Sequence, residues 1–321
     1  MGDIKAIEPT ATTNLCTQPS FEGSISAWAT AGTNTIAKSS AQSYKGNYSL
    51  LCTYADEVSL ASYAVTLPTI SVTYKLTARL YVSSNWDGGN ISLTTTDYAG
   101  ATNTVVSQYT HGTSATNTWL KLETTLALST DAIGSLGLVA ASAPTAGRFV
   151  YLDAVQIEKQ STATTYTDGD QPGGIWTGEP HNSTSTRDAR AWQGGIIRDL
   201  HDDYSFKVFQ YPGAGLTTIS NNYQEYALLK GSFFQNTKRH SRQWALLGAI
   251  QGGTFAGLHT ARKGLVNLFN PSRFGGSDPV VLRYTGATTE KDIIAYYEDG
   301  LGWDNPEYVN EYTPIRLLSP D

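Results

Sequence analysis

Apolar and polar positions alternate with a period of two along much of this chain. Residues 71–83, SVTYKLTARLYVS, place Val72, Tyr74, Leu76, Ala78, Leu80 and Val82 on one face. That is the pattern of a strand buried on one side. Residues 91–94, 119–122 and 150–157 repeat it in shorter form, and turn signals intervene at Asp87-Gly88-Gly89-Asn90, Tyr98-Ala99-Gly100 and Ala146-Gly147. Short strands so spaced predict a β-sandwich or barrel between Asn14 and Lys159.

The alternation lapses after Lys159. Residues 160–190 are dominated by Thr, Ser, Gly and Pro, a composition that buries too little apolar surface to order by itself. They read as a linker, with Tyr166, Ile175 and Trp176 available to pin it onto a neighbour. Strand patterns resume at 204–210, 224–234, 243–250, 279–284, 292–297 and 314–318. One helix stands among them. Thr254 offers an N-cap, and Leu258, Ala261, Leu265 and Leu268 form a single apolar stripe, with His259, Arg262 and Lys263 mainly on other faces. Asn270-Pro271 stops it. The chain is therefore expected to be mainly β, in four parts: an N-terminal arm (1–13), a β-sandwich (14–159), a linker (160–190) and an α+β domain (191–321).

Composition narrows the function. The 321 residues are 40% hydrophobic and only 16% charged, which excludes a disordered, solvating chain. Nineteen Tyr and 30 Gly suit strands joined by tight turns. With 22 basic and 28 acidic residues the net charge is −6, so binding of nucleic acid through the whole surface is not expected. No apolar run approaches the ~20 residues of a membrane-spanning helix, and no membrane insertion is expected. The first ten residues lack the apolar core of a secretory leader, which points to a protein kept in a cell or released by lysis. Cys16 and Cys52 are too few for a disulfide scaffold and read as two buried thiols or as one bridge.

Signatures of catalysis are missing. The five His form no metal-binding pair, and there is neither a G-x-S-x-G elbow nor a phosphate-binding loop. Asp202, Asp203, Glu298, Asp299, Asp304 and Glu307 offer carboxylates for glycoside hydrolysis but read as solvated turn residues. Asp168-Gly169-Asp170 begins like a calcium loop and lacks its remaining ligands. Lys238-Arg239-His240-Ser241-Arg242 is a basic cluster, read as a solvated hairpin. An enzyme is not expected.

Two resemblances follow. Asn14-Leu15, Gln18-Pro19-Ser20-Phe21-Glu22, Trp28, the run Tyr44–Leu50, the segment Thr69–Leu80 and the closing Val150–Glu158 resemble, in order, the motifs of the jelly-roll carbohydrate-binding modules appended to xylanases. The resemblance implies a structural calcium held by Glu22 and Asp153, with Ala154 standing where those modules carry a second Asp. It also implies a sugar site built on aromatic platforms. Trp86, Tyr81, Tyr98, Tyr109 and Trp119 are available; the site is assigned to Trp86, Tyr81 and Tyr98, with Trp86 the most exposed, beside its turn.

Residues 204–321 resemble the ring-forming domain of distal tail proteins of long-tailed phages. The carriers are Tyr204–Val208, Gly248–Gly253, the helix ending Gly264–Pro271, Pro279–Tyr284 and the exit Ile315–Asp321. This resemblance implies a virion protein of the tail tip or baseplate, assembled in the host cytoplasm. A homo-oligomeric ring, hexameric in that family, would join the tail tube protein to tip and hub proteins, while the jelly roll projects outward to bind a host cell-surface polysaccharide. The alternative is a soluble carbohydrate-binding protein with no virion role.

Overall fold

The computed structural model describes residues 3–67, 72–97, 102–128, 133–190, 194–212, 219–225, 232–239, 241–272, 278–285, 290–301 and 310–319. The chain forms two compact units. One comprises Ala11–Ala189, the other Met1–Thr10 together with Arg190–Asp321.

The Ala11–Ala189 unit is a sandwich of two antiparallel five-stranded sheets. The first has the order Trp119–Leu128, Val72–Val82, Phe149–Glu158, Ser49–Thr53, Thr35–Ser39; the second runs Trp28–Ala29, Ser59–Leu67, Ile133–Ala140, Ile91–Asp97, Thr102–Tyr109. The predicted face of Val72–Val82 is the buried one. Tyr74, Leu76, Ala78, Leu80 and Val82 meet Trp28, Leu60, Tyr63, Ile91, Leu93, Leu136 and Leu138 from the opposite sheet in one core. Cys16 and Cys52 lie in that core as free thiols, and burial pushes both pKa values up to about 12.

Residues 160–190 are not a linker. Gly174–Trp176 pairs with Ser185–Arg187, which pairs in turn with Thr12–Asn14, in a three-stranded sheet. Ile175 is 66% exposed, so it pins nothing. Polar side chains hold the segment instead. Asn14 Nδ2 donates to the carbonyls of Val155 and Thr167. Gln156 accepts from Thr167 N at 2.6 Å. Arg187 donates to the carbonyls of Thr165 and Tyr166 and to Thr12 Oγ1. Glu158 accepts from the amide and hydroxyl of Thr164. Asp168 accepts from Asp170 N and Gln171 N, an ordinary Asx turn. Buried polar groups are tolerated when so satisfied, and here they strap the segment to the sheet.

In the second unit a seven-stranded antiparallel sheet has the order Gly195–Asp199, Asp3–Pro9, Val280–Thr285, Glu290–Asp299, Asn310–Ser319, Arg242–Gln251, Phe206–Gln210. Asp3–Pro9, expected to be an arm, is an interior strand, pairing Lys5 with Asp199 on one side and Arg283 on the other. The sandwich is thus inserted between the first strand of this unit and the rest of it. The helix Phe255–Phe269 forms as its pattern requires: Thr254 caps it by accepting from Gly257 N at 3.0 Å, and Leu258, Ala261, Leu265 and Leu268 are buried. They pack with Phe206, Trp244, Leu246, Ile250, Val280, Leu282, Ile315 and Leu317. Arg262 departs from its expected open face. It is buried, and its guanidinium pairs with Glu311 through Nε at 3.0 Å and a second nitrogen. The strand expected at 224–234 is instead two, Ile219–Glu225 paired with Ser232–Arg239. No helix among the described residues is long and apolar enough to cross a membrane.

Candidate functional site

Antiparallel register decides which side chains share the outer face of the first sheet. Leu120, Leu80 and Leu152 form one inward row; one residue along, Trp119, Tyr81 and Tyr151 lie side by side pointing outward. Their rings meet edge to face. Tyr81 is 5.6 Å from Trp119 and 5.7 Å from Tyr151, and Phe149 extends the row at 5.6 Å from Tyr151. Tyr44, from the loop before Ser49–Thr53, closes on Trp119 at 6.0 Å. Edge-to-face packing is the favoured geometry for such rings and holds the array rigid. Tyr151 is 6% exposed at its centre, whereas Trp119, Tyr81 and Tyr44 stay half-buried. Asn117 borders the row, its Oδ1 accepting from Ser84 N at 3.0 Å.

A polar row lies beside the aromatic one, where Lys121, Arg79 and Asp153 align. The Arg79 guanidinium stacks on the Tyr44 ring at 4.4 Å, and Lys45 Nζ lies 5.9 Å from the same ring. Rigid aromatic surface bordered by hydrogen-bond donors is what sugar rings require: apolar C–H faces to stack and hydroxyls to fix orientation.

The predicted site residues fare unevenly. Tyr81 lies in the array. Trp86 does not: it is 3% exposed, its Nε1 donates to Gly89 O at 2.9 Å, and its ring is tucked beneath Gly88. The turn that suggested exposure folds over the indole. Tyr109 is buried. Tyr98, His240, Asp304 and Glu307 lie outside the described residues. Tyr151, Phe149, Tyr44 and Arg79 were not singled out, although the signal is present: Tyr81 and Tyr151 fall one residue out of phase with the apolar positions around them. Asp202 lies in an exposed turn, Asp203 pairs with Arg198, and Asp299 pairs with Arg316.

Glu22 and Asp153, the pair implied for calcium, both face the Tyr44–Tyr48 loop. Glu22 Oε1 accepts from the amides of Asn47 and Tyr48. Asp153 accepts from the amides of Tyr44, Lys45 and Ala154. Burial pushes its pKa up to about 7, against the pull of those three amides and with a smaller rise from Glu22. Lys38 Nζ sits on the carbonyls of Glu22 and Gly23 and 3.9 Å from the centre of the Tyr48 ring. Calcium takes about six to eight oxygens. Here the carboxylates are turned to amides and the nearby carbonyls to an ammonium, so this donor set does not fit the ion. Among the described residues no three His, Cys, Asp or Glu gather as a metal site.

No protein-family model matches this chain, and no curated protein sequence does. Solved structures do. The chain is similar to the C-terminal family 22 carbohydrate-binding module of a Clostridium thermocellum xylanase, at 20% identity over 45% of this chain and 93% of that one, with a TM-score of 0.37. A xylan-binding domain from Paenibacillus barcinonensis matches at 17% identity over 47% and 94%, with a TM-score of 0.35. The Dit hub protein of phage SPP1 matches at 18% identity over 39% of this chain and 47% of its own, with a TM-score of 0.31.

Proposed function

We propose that this chain is a structural subunit of a phage tail tip or baseplate whose sandwich binds a host-surface polysaccharide on its aromatic face. The row Trp119–Tyr81–Tyr151 carries the binding half of this reading. The assembly half is supported by the resemblance of residues 204–321 to ring-forming tail domains and by where apolar surface is left open. Among the described residues six large apolar side chains are exposed; Phe209, Phe255, Val266, Ile294 and Tyr312, the last by 80%, belong to the unit that contains the seven-stranded sheet, and Ile175 belongs to the other. Exposed apolar residues concentrated in one unit suit contact between subunits. A closed ring built from one chain uses heterologous contacts between neighbours, and such a ring would meet the tail tube on one side and tip proteins on the other.

Light scattering from dilute to concentrated protein tests the assembly. A sixfold species, or a reversible climb towards it, is expected; a monomer at every concentration would favour the alternative, a soluble carbohydrate-binding protein, over a ring that assembles by itself. A polysaccharide screen with the natural chain and Trp119→Ala tests the binding face.

A further inference from the structure

The aromatic face is also a cationic one. Among the described residues the outer sheet face beside the aromatic row and its rim carry Arg79, Lys121 and Lys45, with Lys75 further along and largely covered, against the part-exposed carboxylates of Glu123 and of Glu22, the latter turned to the rim amides. The chain as a whole has the opposite sign, at −6. Glu123 is engaged by Lys75 at 2.7 Å and by Lys121. Asp153, across the strand from Arg79, is buried and turned to the amides of Tyr44, Lys45 and Ala154. Arg79 and Lys45 are therefore left without a carboxylate partner among the described residues. Among the described residues Arg79 has no hydrogen-bond acceptor, yet none of its nitrogens is shut off from solvent. Its guanidinium carbon lies over the Tyr44 ring, which itself packs on Trp119. A guanidinium seated on an aromatic ring with open donors is suited to pairing with an oxyanion.

We propose that the polysaccharide bound here is anionic, with a carboxylate or phosphate on a sugar seated against Arg79 and Lys45 while a neighbouring ring stacks on Trp119 and Tyr81. This rests on the aromatic face being a glycan site and adds the ligand's charge.

The test uses the full chain and matched polymers: polygalacturonate and a glucuronic acid-bearing xylan, each beside its carboxyl-reduced form, and a polyglycosyl phosphate beside its unphosphorylated backbone. Calorimetry at low and high salt reads affinity. At low salt the anionic member of at least one pair is expected to bind about tenfold tighter than its neutral counterpart, the scale of a charge-assisted hydrogen bond. The margin should shrink as salt rises. Whether carboxylate or phosphate gives it identifies the oxyanion. Arg79→Gln should remove the margin, read as the ratio of charged to neutral affinity within that variant, and Lys45→Gln, on the loop, should reduce the same ratio without touching the sheet. Equal binding of both members, abolished by Trp119→Ala, would overturn the proposal and leave the glycan face standing. A margin that survives both charge substitutions would also overturn it, and binding to no polymer would remove both readings.

Discussion

The inner and outer faces of strand Val72–Val82 differ in kind, although one residue separates them. Inward, Leu76, Leu80 and Val82 join a closed apolar core. Outward, the face divides. At one end Gln156 and Glu158, aligned with Thr77 and Lys75, lie beneath the polar strap of residues 160–190; at the other, Trp119, Tyr81 and Tyr44 are left open. Apolar shape is excluded from solvent on one side. On the other, polar satisfaction closes one end and leaves aromatic surface available at the other. Stability should therefore reside in the inner face and the strapped end, and binding in the open end.

The severest way to break this contrast is Leu80→Ala. Leu80 is fully buried between Leu120 and Leu152, and the cavity should cost about 3 kcal/mol or more, read by urea denaturation. Arg187→Ala comes next. Burial lowers the Arg187 pKa to about 10 and raises that of Glu158, each opposed by the other's charge. Removing the guanidinium takes one donor from each of Thr165 O, Tyr166 O and Thr12 Oγ1 and should cost about 2 kcal/mol. Unlike Leu80→Ala, it should act locally, speeding hydrogen exchange and proteolysis within residues 160–190 while the sandwich core stays protected. Equal protection of the strap in both variants would show that apolar contacts, not the polar network, hold it.

Trp119→Ala should reverse the balance. It removes two edge-to-face contacts, worth about 1–2 kcal/mol of stability together, yet polysaccharide affinity should fall by about tenfold or more, the loss of a stacking anchor. An unchanged affinity would place the site elsewhere.

How far these features were legible follows from the range of the signal. Leu80 and its companions could be read because a strand buried on one face declares itself within a dozen residues, and Thr254 with its leucine stripe did so for the helix. Asp3–Pro9 could not: its partners begin near residues 195 and 280, and Ile7 is buried against Val281 on the face opposite Ala6, which blurs the alternation. The strap has a linker's composition because Thr, Asn and Arg order only where their partners are, and those partners lie on distant strands. Tyr151 was hidden inside an apolar run, where only register with Tyr81 shows that it points outward.

The smallest expected effect concerns the rim that carries Tyr44. The Tyr44–Tyr48 loop turns through Gly46, at φ +71, where any Cβ would run into the Glu22 carboxylate. Its amides are satisfied by Glu22 and Asp153, and the adjoining carbonyls by Lys38. With the positive charge supplied by a lysine of this chain, EDTA or added calcium should move the melting temperature by less than about 1 °C, below what a few tenths of a kcal/mol would produce in a domain of this size. Lys38→Met keeps the aliphatic stem over Tyr48 and removes the ammonium. It should lower the melting temperature by about 2–4 °C, corresponding to about 1 kcal/mol for the cation–π contact and its carbonyl bonds. A melting temperature that falls in EDTA and recovers with calcium would mean that the Glu22 and Asp153 oxygens turn away from the loop amides to hold a metal. In that case the rim, and with it the seat of Tyr44 against Trp119, would be set by the ion and not by the chain.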